Sequence, residues 1–298
     1  MNVIGIDIGG TKIKFGLFDE EHQLSRHTEI PTPKKNIIGT MIETIATLTL
    51  GKEIRGIGVA SAGIVDFSKG MITRATNLPD LEHAPLSNML EDRFHVPVYV
   101  DNDANCAALT EGIVGAAKEV NHYICATIGT GIGGGVVQHK QIIHGLNGYS
   151  GEVGHMTLYP DGIRCDCGKK GCWERYASGR ALEDAIHNQP SLSAKGYTPK
   201  DLFVHYPHDE QCKQIIDTFI HHLSIGIINL QYTLDPEMIV LGGGVVNATG
   251  PWWDSLIKEV NTASPIKVNL QRAQWKNDAS MIGAALLVKN AREETLEV

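Results

Sequence analysis

Val3 to Phe18 reads VIGIDIGGTKIKFGLF, two β-rich runs, VIGID and KIKFGLF, joined by Gly9, Gly10 and Thr11. Runs of this kind on either side of glycines that bend tightly predict a β-hairpin. The pattern returns 120 residues later, counting from Gly9 to Gly129, as YICATIG, then TGIGGG, then VVQHKQII. Strand, glycine turn and strand are expected there again. The recurrence points to an internal duplication, with two similar domains facing each other rather than one continuous sheet. The alternative is chance similarity between two glycine-rich hairpins, a common element.

Between the hairpins, strands and helices alternate: a helix near Asn36 to Leu50, a buried strand Gly56 to Ala60, a helix near Leu86 to Phe94, a strand Pro97 to Val100, and a helix after Asp103. Alternation of this kind means α/β. Further on, Cys212, Ile216, Phe219, Leu223, Ile227, Leu230 and Leu234 recur at helical spacing and predict a long amphipathic helix that stops before Pro236. The strand MIVLG follows and runs into Gly242, Gly243 and Gly244, and a last helix is expected near Ser280 to Lys289. With no Pro- or Gly/Ser-rich linker visible, the repeat places the boundary near Glu111 to Val120. The expected domains are 1–115, joined by a C-terminal helix over 280–298, and 116–279, which contains a zinc loop over 155–172.

A chain of 298 residues with 42% hydrophobic content has room for two domains, each with its own core. Its net charge of -8, with no clustered run of Lys and Arg, argues against a nucleic-acid groove. The opening residues lack the pattern of a secretory signal, and no apolar run reaches the roughly 18 residues of a membrane span. Six cysteines, three scattered at Cys106, Cys125 and Cys212, fit a reducing compartment. A cytoplasmic protein without nucleic-acid or membrane partners is expected.

The other three cysteines lie in GEVGHMTLYPDGIRCDCGKKGCWE, Gly151 to Glu174. His155, Cys165, Cys167 and Cys172 make a three-thiolate, one-imidazole set suited to tetrahedral zinc, and four protein ligands close the site, so the metal would be structural. Free thiols or disulfides are the alternative. Glu152 and Glu174 flank this loop; they read either as solvated charges or as outward carboxylates that grip hydroxyl groups.

Three glycine clusters, Gly9-Gly10-Thr11, Gly129 to Gly135 and Gly242 to Gly244, each follow a β-rich run and suggest a nucleotide cleft, where exposed N–H groups meet phosphate oxygens. Gly129, Gly131 and Gly134 also match G-x-G-x-x-G, but a dinucleotide site needs a helix next, and VVQHKQII reads as a strand. The run Asp101-Asn102-Asp103-Ala104-Asn105 ends a strand and opens a helix, where an Asp can be a general base toward a hydroxyl or can simply cap the helix.

DIGGTK (Asp7 to Lys12), NDAN (Asn102 to Asn105), GTGIGGG (Gly129 to Gly135), GEVGH (Gly151 to His155) and CDCGKKGCWE (Cys165 to Glu174) together resemble the signature set of the ROK family of repressors, open reading frames and kinases. The resemblance spans nearly the whole chain. It implies an actin-like, ribonuclease-H-like ATPase fold with two domains around a nucleotide and sugar cleft. It also implies an ATP-dependent hexose kinase, with Asp103 as the base that deprotonates the sugar 6-hydroxyl. Asn77, Asn102, Glu152, His155 and Glu174 would bind sugar hydroxyls beside Asp103, His155 serving both zinc and sugar. Asp7 would face magnesium. Gly9, Gly10, Thr11, Lys12, Gly129, Thr130, Gly131 and Gly133 would hold the nucleotide phosphates, with Gly243 and Gly244 near the adenosine.

The resemblance further implies a homodimer or homotetramer. Its repressor members carry an N-terminal DNA-binding segment, for which a motif starting at Asp7 leaves no room; a non-catalytic sugar sensor is the alternative of another class. Ser61-Ala62-Gly63 and Thr76-Asn77-Leu78-Pro79-Asp80 depart from the glucokinase-like pattern, and the Ser-x-Gly is similar to N-acetylmannosamine kinases. Glucose and N-acetylmannosamine are thus the expected candidates, ahead of fructose or a β-glucoside.

Overall fold

The computed structural model describes all residues except Met1, His22, Thr76, Thr249, Glu297 and Val298, with side chains as far as Lys289. Thr76 of the substrate-choice motif and the end of the expected 280–298 helix therefore lie outside the described residues. The chain begins with β1 (Asn2–Ile8), β2 (Lys12–Phe18), β3 (Leu24–Pro31), α1 (Ile37–Leu48), β4 (Ile54–Ser61), β5 (Ile64–Asp66), β6 (Met71–Arg74), α2 (Leu86–Phe94), β7 (Val98–Asn102) and α3 (Asp103–Val114). It continues through β8 (Tyr123–Ile128), β9 (Ile132–Gln138), β10 (Gln141–Ile142), α4 (Gly179–His187), α5 (Pro190–Ala194) and α6 (Pro199–His205). It ends with α7 (Glu210–Leu234), β11 (Met238–Gly242), α8 (Trp252–Ala263), β12 (Leu270–Arg272) and α9 (Ala279–Leu296). No described helix is long and apolar enough to cross a membrane.

Two compact units emerge. Unit 1 comprises 1–113, 142–150 and 278–298; unit 2 comprises 114–141 and 151–277. The sequence-based division ran 116–279 as one piece and did not foresee that 142–150 returns to unit 1. Each unit is built on a five-stranded sheet, of order β3-β2-β1-β4-β7 in one and β10-β9-β8-β11-β12 in the other. The two orders are the same arrangement: an antiparallel hairpin leads each sheet, then parallel strands follow, β1 on β4 on β7 and β8 on β11 on β12. Duplication, rather than chance likeness of two hairpins, accounts for this correspondence.

The second hairpin departs from its expected layout in two places. The turn is only Gly129-Thr130-Gly131, and Gly133, Gly134 and Gly135 lie inside β9, opposite Thr127, Ala126 and Cys125. Gly134 is small for a packing reason: a Cβ there would stand 2.7 Å from Val153 Cγ2. VVQHKQII is not one strand, because His139 and Lys140 take left-handed φ of 51° and 63° and turn the chain between β9 and β10.

Each unit has its own core. In unit 1, Ile4, Ile6, Ile8, Ile57, Val59 and Val100 from the sheet are buried with Met41, Ile45 and Leu90 of the helices. α9 lies on β1 and β4, where Gly58 has no side chain and the carbonyl of Ala284 occupies the space a Cβ would need. In unit 2, α7 buries Ile216, Phe219, Leu223 and Ile227 with Trp173 and Trp252.

Candidate active site

The candidate residues fall on both units, and each set is built within its own unit. In unit 1 the β1–β2 turn is closed by Gly9 N donating to Lys12 O at 3.0 Å, and Thr32 Oγ1 donates to Gly9 O at 2.7 Å. The antiparallel register places Asp7, at the end of β1, opposite Lys14. Burial pushes the Asp7 carboxyl up to about 7, with the charge of Asp103 adding to it, Lys14 opposing, and Asp278 raising it further. Lys14 itself pairs with Asp278 at 3.1 Å. Lys12, expected at the phosphates, has its exposed ammonium 2.6 Å from Glu29 across the sheet. Asn77 lies against Gly10, where an added Cβ would be 3.3 Å from the Asn77 Cβ.

β7 delivers Asn102 and α3 begins at Asp103, so two consecutive residues of the motif stand where a parallel strand meets a helix, the usual place for groups that act on a ligand. Asn102 does the capping: its Oδ1 accepts from the N–H of Ala104 at 2.8 Å and of Asn105 at 3.2 Å. Its Nδ2 donates to Gly63 O at 2.9 Å, so the Ser61-Ala62-Gly63 turn touches the motif directly. Asp103 Oδ1 accepts from Ala104 N at 2.9 Å, and Ser280 Oγ, at the start of α9, donates to its carbonyl at 3.0 Å.

In unit 2 the Gly129-Thr130-Gly131 turn is closed by Gly129 N donating to Gly131 O at 3.0 Å. The start of α4 holds it from behind, Gly179 N donating to Gly129 O at 2.8 Å and Arg180 N to Thr130 O at 3.2 Å. Gly243, with φ of 92°, packs on the end of β8, where a Cβ would stand 2.5 Å from Ile128 O. The second and third glycine clusters are therefore neighbours. A Cβ at Gly129 or Gly244 would meet no atom within 4 Å, which leaves open backbone surface at both.

Donor atoms of His155, Cys165, Cys167 and Cys172 all lie within 4.8 Å of one another, a spacing and a chemistry that fit a tetrahedral zinc ion. The three cysteines are free thiols, with Cys167 and Cys172 Sγ atoms 3.6 Å apart. His155 Nδ1 is the ring atom facing this cluster, 3.7 Å from Cys165 Sγ, and Nε2 points to Glu152 Oε2 at 3.7 Å. The carboxylates were expected to project outward from the loop. Glu174 does not: Oε1 lies 3.1 Å from Cys165 Sγ and 3.5 Å from His155 Nδ1, and its Oε2 accepts from Ile132 N at 3.4 Å. It occupies space left by the missing side chain of Gly131, linking the glycine turn to the thiol cluster. Glu152 is raised above the usual carboxylate range by burial first and by the charge of Glu174 second.

Three features of the site had escaped sequence reasoning. Lys14 was available from strand alternation once the hairpin register was fixed. Asp101 and His144, 2.7 Å apart, come from β7 and the returning 142–150 segment, and no local signal joins them.

Residues 3–291 match the family model described as the ROK family. A glucokinase of Halalkalibacterium halodurans is 34% identical over 325 residues, covering 99% of this chain and 96% of that protein. An N-acetylmannosamine kinase of Shigella boydii is 31% identical, covering 98% of this chain and 100% of its own. A solved ROK family glucokinase from Streptomyces griseus, in complex with glucose and AMPPNP, is 31% identical with a TM-score of 0.83, covering 97% of this chain and 100% of that one. The paired sheets of equal order are the duplicated α/β arrangement of the actin-like, ribonuclease-H-like ATPase fold. Motif order, fold and full-length relatives agree, and the chain belongs to the ROK family.

Proposed function

We propose that the protein is an ATP-dependent sugar kinase that transfers the γ-phosphoryl group to the 6-hydroxyl of a hexose, glucose or N-acetylmannosamine. The observation that carries this reading is the Asn102–Asp103 pair: Asn102 satisfies the helix cap, so capping does not account for Asp103. Asp103 accepts the proton of the attacking hydroxyl as the oxygen meets phosphorus. Asn77 and Asn102 in unit 1, and Glu152 and His155 in unit 2, hold sugar hydroxyls, while Glu174, turned onto the thiol cluster, supports His155 from behind. The N–H groups of Gly9 to Thr11 and of Gly129 to Gly131 receive phosphate oxygens, and the open surface at Gly244, next to the packed Gly243, takes the adenosine.

Asp7 is the residue to hold magnesium, since its buried carboxyl also feels the charge of Asp103, and two neighbouring carboxyls make a place for a cation. Magnesium supplies neutralisation of the phosphate charge. Zinc, held by His155, Cys165, Cys167 and Cys172, orders the loop so that the His155 Nε2 edge and Glu152 keep their places. Both relatives named for sugar kinases support the substrate class, and the Ser61-Ala62-Gly63 turn on Asn102 supports N-acetylmannosamine beside glucose.

The test is sugar-dependent ADP release with magnesium-ATP against glucose, N-acetylmannosamine, N-acetylglucosamine, mannose, fructose and a β-glucoside. Turnover with glucose or N-acetylmannosamine is expected. Asp103→Asn should bind that sugar as wild type does while turnover drops roughly 10²–10⁴-fold, the ordinary worth of a general base. Wild-type turnover in the variant would remove the base assignment, and silence of the wild type on every sugar would point to a sensor.

A further inference from the structure

The returning segment 142–150 brings into unit 1 a side chain that none of these roles uses. His144 places Nε2 2.7 Å from Oδ2 of Asp101, whose side chain is 1% exposed. The imidazole also lies flat on Phe67, ring centroids 4.3 Å apart and planes inclined by 16°, so both its face and its edge are held. The other Asp101 oxygen accepts from Asn102 N at 2.7 Å and from Asn105 Nδ2 at 2.9 Å. Asn105 makes this bond while its own buried Oδ1 has no protein partner, so the hydrogen bonding of its amide is directed at Asp101. One buried carboxylate thus gathers groups from both sides of Asp103.

The segment carrying His144 is itself held in place. Ser150 N donates to His144 O at 3.3 Å, and Gly148 lies so close to β5 that a Cβ would collide with the carbonyl of Val65. A buried carboxylate needs donors on both oxygens to keep one orientation. Without His144, Oδ2 loses this one, and Asp101 can rotate away from the Asn102 N–H and the Asn105 amide.

We propose that His144 is a positioning residue for phosphoryl transfer, acting through Asp101 to fix the 101–105 turn that aims Asn102 and Asp103. The proposal rests on the kinase reading in which Asp103 is the base. The test uses the full, zinc-loaded chain and measures kcat and KM with the sugar that the wild type turns over. His144→Gln carries an amide nitrogen near the Nε2 position and keeps the bond to Asp101. His144→Asn is too short to reach, and His144→Phe keeps the ring on Phe67 but has no donor.

We expect kcat to fall about tenfold to a hundredfold in the Asn and Phe variants, the scale of a small misplacement of a reacting group, with KM for ATP within about twofold. The Gln variant should stay within about threefold of wild type. Wild-type kcat in His144→Asn or His144→Phe overturns the proposal, as does a Gln variant that falls as far as they do. If His144→Phe does not fold, the Asn and Gln variants decide. Asp103→Asn is assayed alongside: if that variant keeps its turnover, the assignment of Asp103 as base, on which the proposal rests, fails whatever the His144 variants show.

Discussion

Asp7 stands opposite Lys14 in the β1–β2 register, yet burial and the charge of Asp103 outweigh that lysine and push its carboxyl from 3.8 up to about 7. In the unfolded chain the group ionises near its ordinary value, so over the interval between the two the folded protein holds a proton that the unfolded chain has lost. The resulting stabilisation is fully present below about pH 4 and gone once the pH has risen through about 7. Asp7→Asn has no such proton to lose. In buffer free of nucleotide and magnesium, the melting temperature of the variant should therefore gain on wild type as pH rises from about 4 to 7, then run parallel. Differential scanning calorimetry across that range checks this, and parallel curves throughout would show that Asp7 titrates normally. The DIGGTK motif singles out Asp7, but its raised pKa was not legible there: beside burial it depends on residues 103 and 278, which sequence distance hides.

Among the elements, the loop that carries the candidate zinc ligands is tied down by a side chain outside that set. Trp173, next to Cys172, is fully buried, donates from Nε1 to His222 O at 2.9 Å, and lies on α7 where Gly226 lacks a side chain. Trp173→Ala should cost about 3–5 kcal/mol in urea unfolding of unit 2, the usual loss for emptying a large aromatic site. A loss below about 1 kcal/mol would mean the loop is anchored elsewhere. α1, α2, α3, α7, α9 and the first hairpin were legible because hydrophobic period, helix-start residues and glycine position mark them, whereas α4, α5, α6 and α8 were not read from the sequence. β9 and β10 were not, since His139 and Lys140 make their turn with left-handed φ that their residue types do not announce. Glu174 misled for another reason: a carboxylate at a loop end reads as solvated until the chain brings Gly131 beneath it.

On the scale of the whole molecule, the duplicated sheets mean that each unit is stabilised by its own core. Cys167→Ser should release zinc, and amide hydrogen exchange should then rise within 114–141 and 151–277 while the strands of unit 1 keep their protection. Loss of protection spread evenly through both units would show that they do not unfold separately. The duplication could be read from Gly9 and Gly129, but the return of 142–150 could not, because it depends on His144 and Gly148 meeting unit 1 in three dimensions. The packing of α9 on β1 and β4 also sets an order on the growing chain. β1 is covered by α9, which follows the whole of unit 2 in the chain, so unit 2 can complete its core while the face of β1 around Gly5 is still bare. A nascent chain arrested before Asp278 should accordingly hold a folded second unit behind an unfinished first one, reversing the usual N-terminus-first sequence.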